Sequence, residues 1–107
     1  MRKSFDEAVL RRLREVPLGT ALEALGRHVA IDRDFVPVKD ARTERWLVDA
    51  GTGKAELLVT GLKWFDAREG HGGGGVIDLI MHLDQVTFVQ AVRLLKKALP
   101  RALDLEG

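Results

Sequence analysis

The sequence predicts an α+β domain, a small antiparallel sheet of three to four strands flanked by about four short helices. Three observations predict it. Apolar residues recur at helical spacing near both ends of the chain, whereas the middle alternates and is cut by glycine turns. A length of 107 residues, 46% of them apolar, suits one core and leaves no room for two. Cysteine is absent, so neither a disulfide framework nor a thiolate metal site is available to a small fold. Residues 1–107 therefore form a single domain, opened by N-terminal helices over 1–27.

The elements follow in order. Ser4 and Glu7 have the spacing of a capping box, and Phe5, Val9, Leu13 and Val16 fall on one helical face before Pro17 stops the helix. Thr20 and Glu23 repeat the pattern ahead of a short helix, Ala21 to Leu25, that Gly26 ends. His28 to Lys39 alternates weakly around Pro37 and reads as an irregular edge strand or loop, and Asp40 to Arg45 as a polar turn. Three strands are expected next, Arg45–Val48, Glu56–Thr60 and Leu62–Ala67, separated by Gly51-Thr52-Gly53 and by Gly61. The glycine run Gly70 to Gly75 reads as a tight loop leading into a helix from Val76 to about Leu83. Thr87 and Gln90 cap a last helix that runs to about Leu99 before Pro100, with Phe88, Ala91, Val92, Leu95 and Leu99 as its apolar stripe.

Composition narrows the function. Seventeen basic and 16 acidic residues leave a net charge of +1, spread evenly between the halves. Any polyanion-binding surface must come from local clustering. No apolar run is long enough to cross a bilayer, and the first residues lack the apolar core of a signal peptide, so the expected location is the cytoplasm, with no membrane partner. No nucleophile–base pair, paired carboxylates or metal motif stands out, so the chain reads as non-catalytic, with no metal and no cofactor.

The segment from Lys63 to Val92 reads KWFDAREGHGGGGVIDLIMHLDQVTFVQAV. Its aromatic strand, glycine loop, Ile77-Asp78-Leu79-Ile80-Met81 string and Thr87-Phe88-Val89-Gln90-Ala91-Val92 helix start resemble the second half of the zinc-binding ribbon of bacterial DnaG-type primases. At that family's spacing the four metal positions fall on Trp46, Asp49, Ala67 and Gly70, none of them a thiol or an imidazole. The resemblance covers residues 45–99, and it implies a degenerate, metal-free ribbon of the kind found beside toprim-type primase domains on mobile elements. A structural zinc contributes on the order of 10 kcal/mol to a small ribbon. The resemblance therefore implies a substitute: Trp46 in the metal's volume and the N-terminal helices over the sheet.

What the resemblance implies about function is a nucleic-acid-binding or primase-accessory module in DNA replication that contacts single-stranded DNA. The alternative is a protein-interaction module that docks to a primase or helicase subunit without touching DNA. A nucleotide sensor built on the glycine loop is a third possibility. The candidate contact residues are Lys63, Trp64 and Arg68 on and beside the aromatic strand, His71, Gly73 and Gly74 in the glycine loop, and the basic stripe Arg93, Lys96, Lys97 and Arg101. Trp64 and Phe65 face opposite sides of a strand, so one can be core while the other is exposed; if Trp46 takes the metal's volume, Trp64 is the better surface candidate, and the alternative places Trp64 and Phe65 both in the core or at a helix contact. Each residue also has a plainer structural reading. The glycines make a strand-to-helix turn, Asp78 fixes that turn by accepting its amides, and the basic stripe is a solvated helix face. His28, His71 and His82 match no metal-ligand spacing, and His82 is expected to meet helix-terminal carbonyls.

Overall fold

The computed structural model describes residues 6–50 and 53–100. It contains helices α1 (Glu7–Glu15) and α2 (Leu18–Ala24), strands β1 (Val29–Ile31), β2 (Glu44–Ala50), β3 (Gly53–Thr60), β4 (Lys63–Asp66) and β5 (His71–Gly74), then α3 (Gly75–Asp84) and α4 (Phe88–Ala98). The strands form one antiparallel meander in the order β1-β2-β3-β4-β5. The fold is the expected α+β class, with five strands rather than three to four. The additions are the two edges: β1, within the stretch read as an irregular edge, and β5, which the glycine run forms instead of a loop.

Local chemistry accounts for the helix limits. Asp6 caps α1, its carboxylate accepting from the Ala8 amide at 2.7 Å; Ser4 and Phe5 lie outside the described residues. Helix α2 starts at Leu18, after Pro17, so Thr20 is inside the helix rather than its cap. It ends as expected at Gly26, where Gly26 N–H donates to the Glu23 carbonyl at 2.9 Å and Arg27 N–H to that of Leu22 at 2.8 Å. The Arg27 side chain then ties this end to the end of α3, donating to Asp84 at 2.6 Å. Thr87 and Gln90 form the expected reciprocal box at the start of α4.

The sheet has two unlike faces. Trp46 pairs with Leu57, and Leu57 with Asp66, so these three side chains share one face, joined by Val48, Val59 and Trp64. Helix α3 packs on this inner face with Val76, Ile77, Leu79, Ile80 and Leu83 buried, and α2 and α4 close the core around it. Trp46 lies against Gly19 of α2 and donates from Nε1 to Glu44 at 3.0 Å. Neither tryptophan is exposed. Trp64 retains 3% of its surface and Phe65 43%, which reverses the expectation for β4. The reason is register: Trp64 pairs with buried Val59, whereas Phe65 pairs with Leu58 on the other side.

One carboxylate is deep in this core. Asp66 is 3% exposed and takes a 2.9 Å contact from His82 Nε2, plus the Arg68 and Glu69 amides at 3.1 Å each. Burial opposes its ionisation, but these donors outweigh burial and hold its carboxyl below the usual carboxylate range. A depressed native value stabilises the fold above the unfolded carboxyl value and loses that contribution as pH falls through the native one. Acid unfolding of Asp66→Asn, followed by circular dichroism, should therefore start from lower stability at neutral pH. It should also lose less between pH 5 and the acid limit than the parent does.

Candidate nucleic-acid interface

Among the described residues, no helix covers the outer face of the sheet. Cross-strand rows on it run Arg45, Leu58, Phe65, Gly72 and Thr60, Lys63, Gly74, so two apolar side chains sit at its centre. A sheet face left to water normally reads polar, whereas this one is apolar at its centre. The long β1–β2 connection, residues 32–43, borders this face. Asx turns hold both its ends: the Asp34 amide donates to Asp32 and the Arg42 amide to Asp40, each at 2.9 Å. The Thr43 and Thr60 hydroxyls, 2.6 Å apart, tie its end to β3. Between this loop and β4–β5 lies a groove of about 1120 Å³ lined by Phe35, Val38, Leu58, Lys63, Phe65 and Gly72, with Lys39 and Arg42 on its rim.

Glycine shapes the groove floor. A Cβ on Gly72 would lie 2.8 Å from Phe65 Cδ1 and 2.8 Å from the Trp64 carbonyl oxygen, so the Phe65 ring leans across a position where only glycine fits. Gly73 lies under the Trp64 ring and beside Asp78, and Gly74 has open space around it. At Gly75 φ is +83°, which turns the strand into α3. The anion site expected at this helix start is partly occupied from within. Gly74 N–H contacts Asp78 Oδ2 at 3.4 Å, the fixing role expected of Asp78, and Gly75 N–H donates to the Leu62 carbonyl at 2.8 Å.

Charges around the groove are mostly paired with each other. Arg42 meets Asp40 at 2.9 Å, Arg45 meets Asp32 at 2.6 Å and also Glu56, and Arg68 meets Glu56 at 3.2 Å. The Asp40 carboxyl is pulled down to about 2 by its hydrogen bonds from the Arg42 side chain and amide. Lys39 and Lys63 make no ion pair among the described residues and are the uncommitted cations beside the aromatic.

The expected contact residues divide between layers. Lys63 and Arg68 belong to the outer face or its margin, and Gly73 and Gly74 to its edge strand. Trp64 is in the core. Arg93, Lys96 and Lys97 are exposed on α4, which belongs to the helical layer behind the sheet, so they do not join the groove. Arg101 lies outside the described residues. His71 is on β5 next to Gly72, but its imidazole stacks on His82 at 4.9 Å, and both rings approach Trp64. Two of the three histidines thus converge, because β5 lies along α3. His82 bonds to Asp66 rather than to helix-end carbonyls. Among the described residues no group of three or more His, Cys, Asp or Glu could hold a metal ion.

Of the four positions where the resemblance expects metal ligands, Trp46 and Asp49 lie within β2, which is paired on both sides, and Asp49 meets Lys54 at 2.6 Å. Ala67 and Gly70 lie in the β4–β5 turn, where Gly70 N–H donates to the Asp66 carbonyl at 2.8 Å. Phe65, Lys39 and Gly72 line the groove but are absent from the candidate set read from the sequence; alternation through the Gly61 hairpin was a signal for Phe65, and no local pattern marks Lys39. Comparison with protein-family models, curated proteins and solved structures finds no match to this chain. Among the described residues, no single helix is long and apolar enough to cross a membrane.

Proposed function

We propose that the outer sheet face binds single-stranded nucleic acid, as a non-catalytic accessory module of a DNA-priming system. The observation that supports this most is Phe65, 43% exposed, leaning over Gly72 in an open groove with Lys63 and Lys39 beside it. An exposed aromatic on an open sheet offers a face to any unstacked base, and nearby cations meet the phosphates. Duplex DNA hides its base faces, so the site selects unpaired strands.

The charge pairing sets the expected salt dependence. With two uncommitted lysines, log affinity should fall with log salt at a slope of about −1.4, at roughly −0.7 per phosphate neutralised on a single strand. Lys63→Ala should halve that slope, measured by fluorescence anisotropy of a labelled single-stranded oligonucleotide over a salt series. A slope unchanged by Lys63→Ala would remove this lysine from the contact.

A second reading has its own observation. Val36 and Val38 on the β1–β2 loop are 77% and 93% exposed beside the same groove, and the arginines there are already neutralised. A primase or helicase subunit docking on this face would bury these valines and need no net charge. Binding to such a subunit that ignores salt, with no oligonucleotide binding, would favour this reading.

A further inference from the structure

We propose that the free edge of β5 captures an extended segment of a partner protein, which adds to the sheet as a further antiparallel or parallel strand. This inference does not depend on nucleic-acid binding, because it uses the sheet edge and the inner cleft rather than the outer face.

Among the described residues, strand β5 pairs only with β4. Gly75 N–H donates to the Leu62 carbonyl at 2.8 Å, which marks Leu62 and Gly75 as a hydrogen-bonded pair. Bonded and non-bonded pairs alternate along an antiparallel ladder. With Trp64 opposite Gly73 and Asp66 opposite His71, those pairs are bonded, and the N–H and C=O groups of Gly72 and Gly74 point to the free edge. The contact of Gly74 N–H with Asp78 agrees with this direction. The Gly72 backbone groups stay open to a strand.

The two edges of the sheet differ. Strand β1 is three residues long and runs into Asp32-Arg33-Asp34, charges of the kind that blunt an edge. Strand β5 has no proline, no lysine and no bulge, and its exposed glycines put no side chain in the way. Alongside it runs a cleft of about 640 Å³ between the strand and α3, lined by His71, Asp78, Met81, His82, Gln85 and Val86. A groove between an edge strand and a helix suits an extended peptide: main-chain bonds hold it and alternate side chains enter the groove. Here the floor contributed by Met81 and Val86 takes an apolar residue, and the exposed Asp78 carboxylate pairs with a basic one. The occupant is therefore an extended segment carrying an apolar and a basic residue.

The test selects short peptides from a random library against the full chain, then titrates the selected peptide while following backbone amide exchange by NMR. The expected result has three parts. Gly72 amide exchange slows on binding, N-methylation of alternate peptide residues lowers affinity about tenfold or more through the lost main-chain bonds, and Asp78→Asn weakens only peptides that carry the basic residue. The proposal is overturned if no peptide is enriched, or if selected peptides bind equally well after N-methylation. It is also overturned if Gly72 is already protected in the free protein by a second copy, seen as a dimer in sedimentation.

Discussion

Phe65→Ala lowers the affinity for single-stranded oligonucleotides by about tenfold, on the basis of 1–3 kcal/mol per stacked base, and leaves the fold intact. The ring is half-exposed and sits on the layer that no helix covers, so its removal opens no cavity in the core. Its stability contribution is that of a cross-strand contact over glycine, about 1 kcal/mol or less. Anisotropy titration and thermal unfolding of the same preparation check the two halves. Loss of binding together with loss of folding would assign Phe65 to the core, and unchanged binding would remove it from the interface.

Trp64→Ala gives the opposite pattern. Its indole is buried beside His71, His82 and Gly73, at the junction of β4, β5 and α3. Truncating such a side chain leaves a large cavity and costs about 3–5 kcal/mol, enough to unfold much of a marginally stable domain. The change also removes a buried indole N–H that has no hydrogen-bond partner, a small offset against that loss. Urea unfolding measures it. A stability change below about 1 kcal/mol would contradict the burial described here. Trp64→Phe keeps much of the apolar volume and should retain both fold and binding, which separates packing from contact.

Neighbouring residues on one strand thus carry unlike roles, and the sequence contained the means to assign them. Thr60, Gly61, Leu62 and Lys63 form a hairpin turn, and alternation from it sends Trp64 to the side of Val59 and Trp46. The surface reading of Trp64 rests on placing Trp46 in the metal's volume; the register instead buries both tryptophans and leaves Phe65 outside. The helices were legible because their caps and stripes are local: Thr87 with Gln90, Gly26, and Leu13 with Val16 behaved as read. Strand β5 was not legible, because a run of glycines has no side-chain period and only its pairing with β4 makes it a strand. The Asp66–His82 contact joins residues 16 apart in the chain, and nothing local to either announces it. Arg93, Lys96 and Lys97 are exposed on α4, but only the layer order shows that they lie away from the groove.

The most direct test of the outer face as the strand-binding surface is photo-cross-linking of a bromodeoxyuridine-substituted single-stranded oligonucleotide, with the attachment site mapped by mass spectrometry. The account predicts cross-links on the peptide that contains Phe65, competed by unlabelled single strands and not by duplex. Cross-links confined to Arg93–Lys97 on α4, or none under conditions where the oligonucleotide binds, would contradict it.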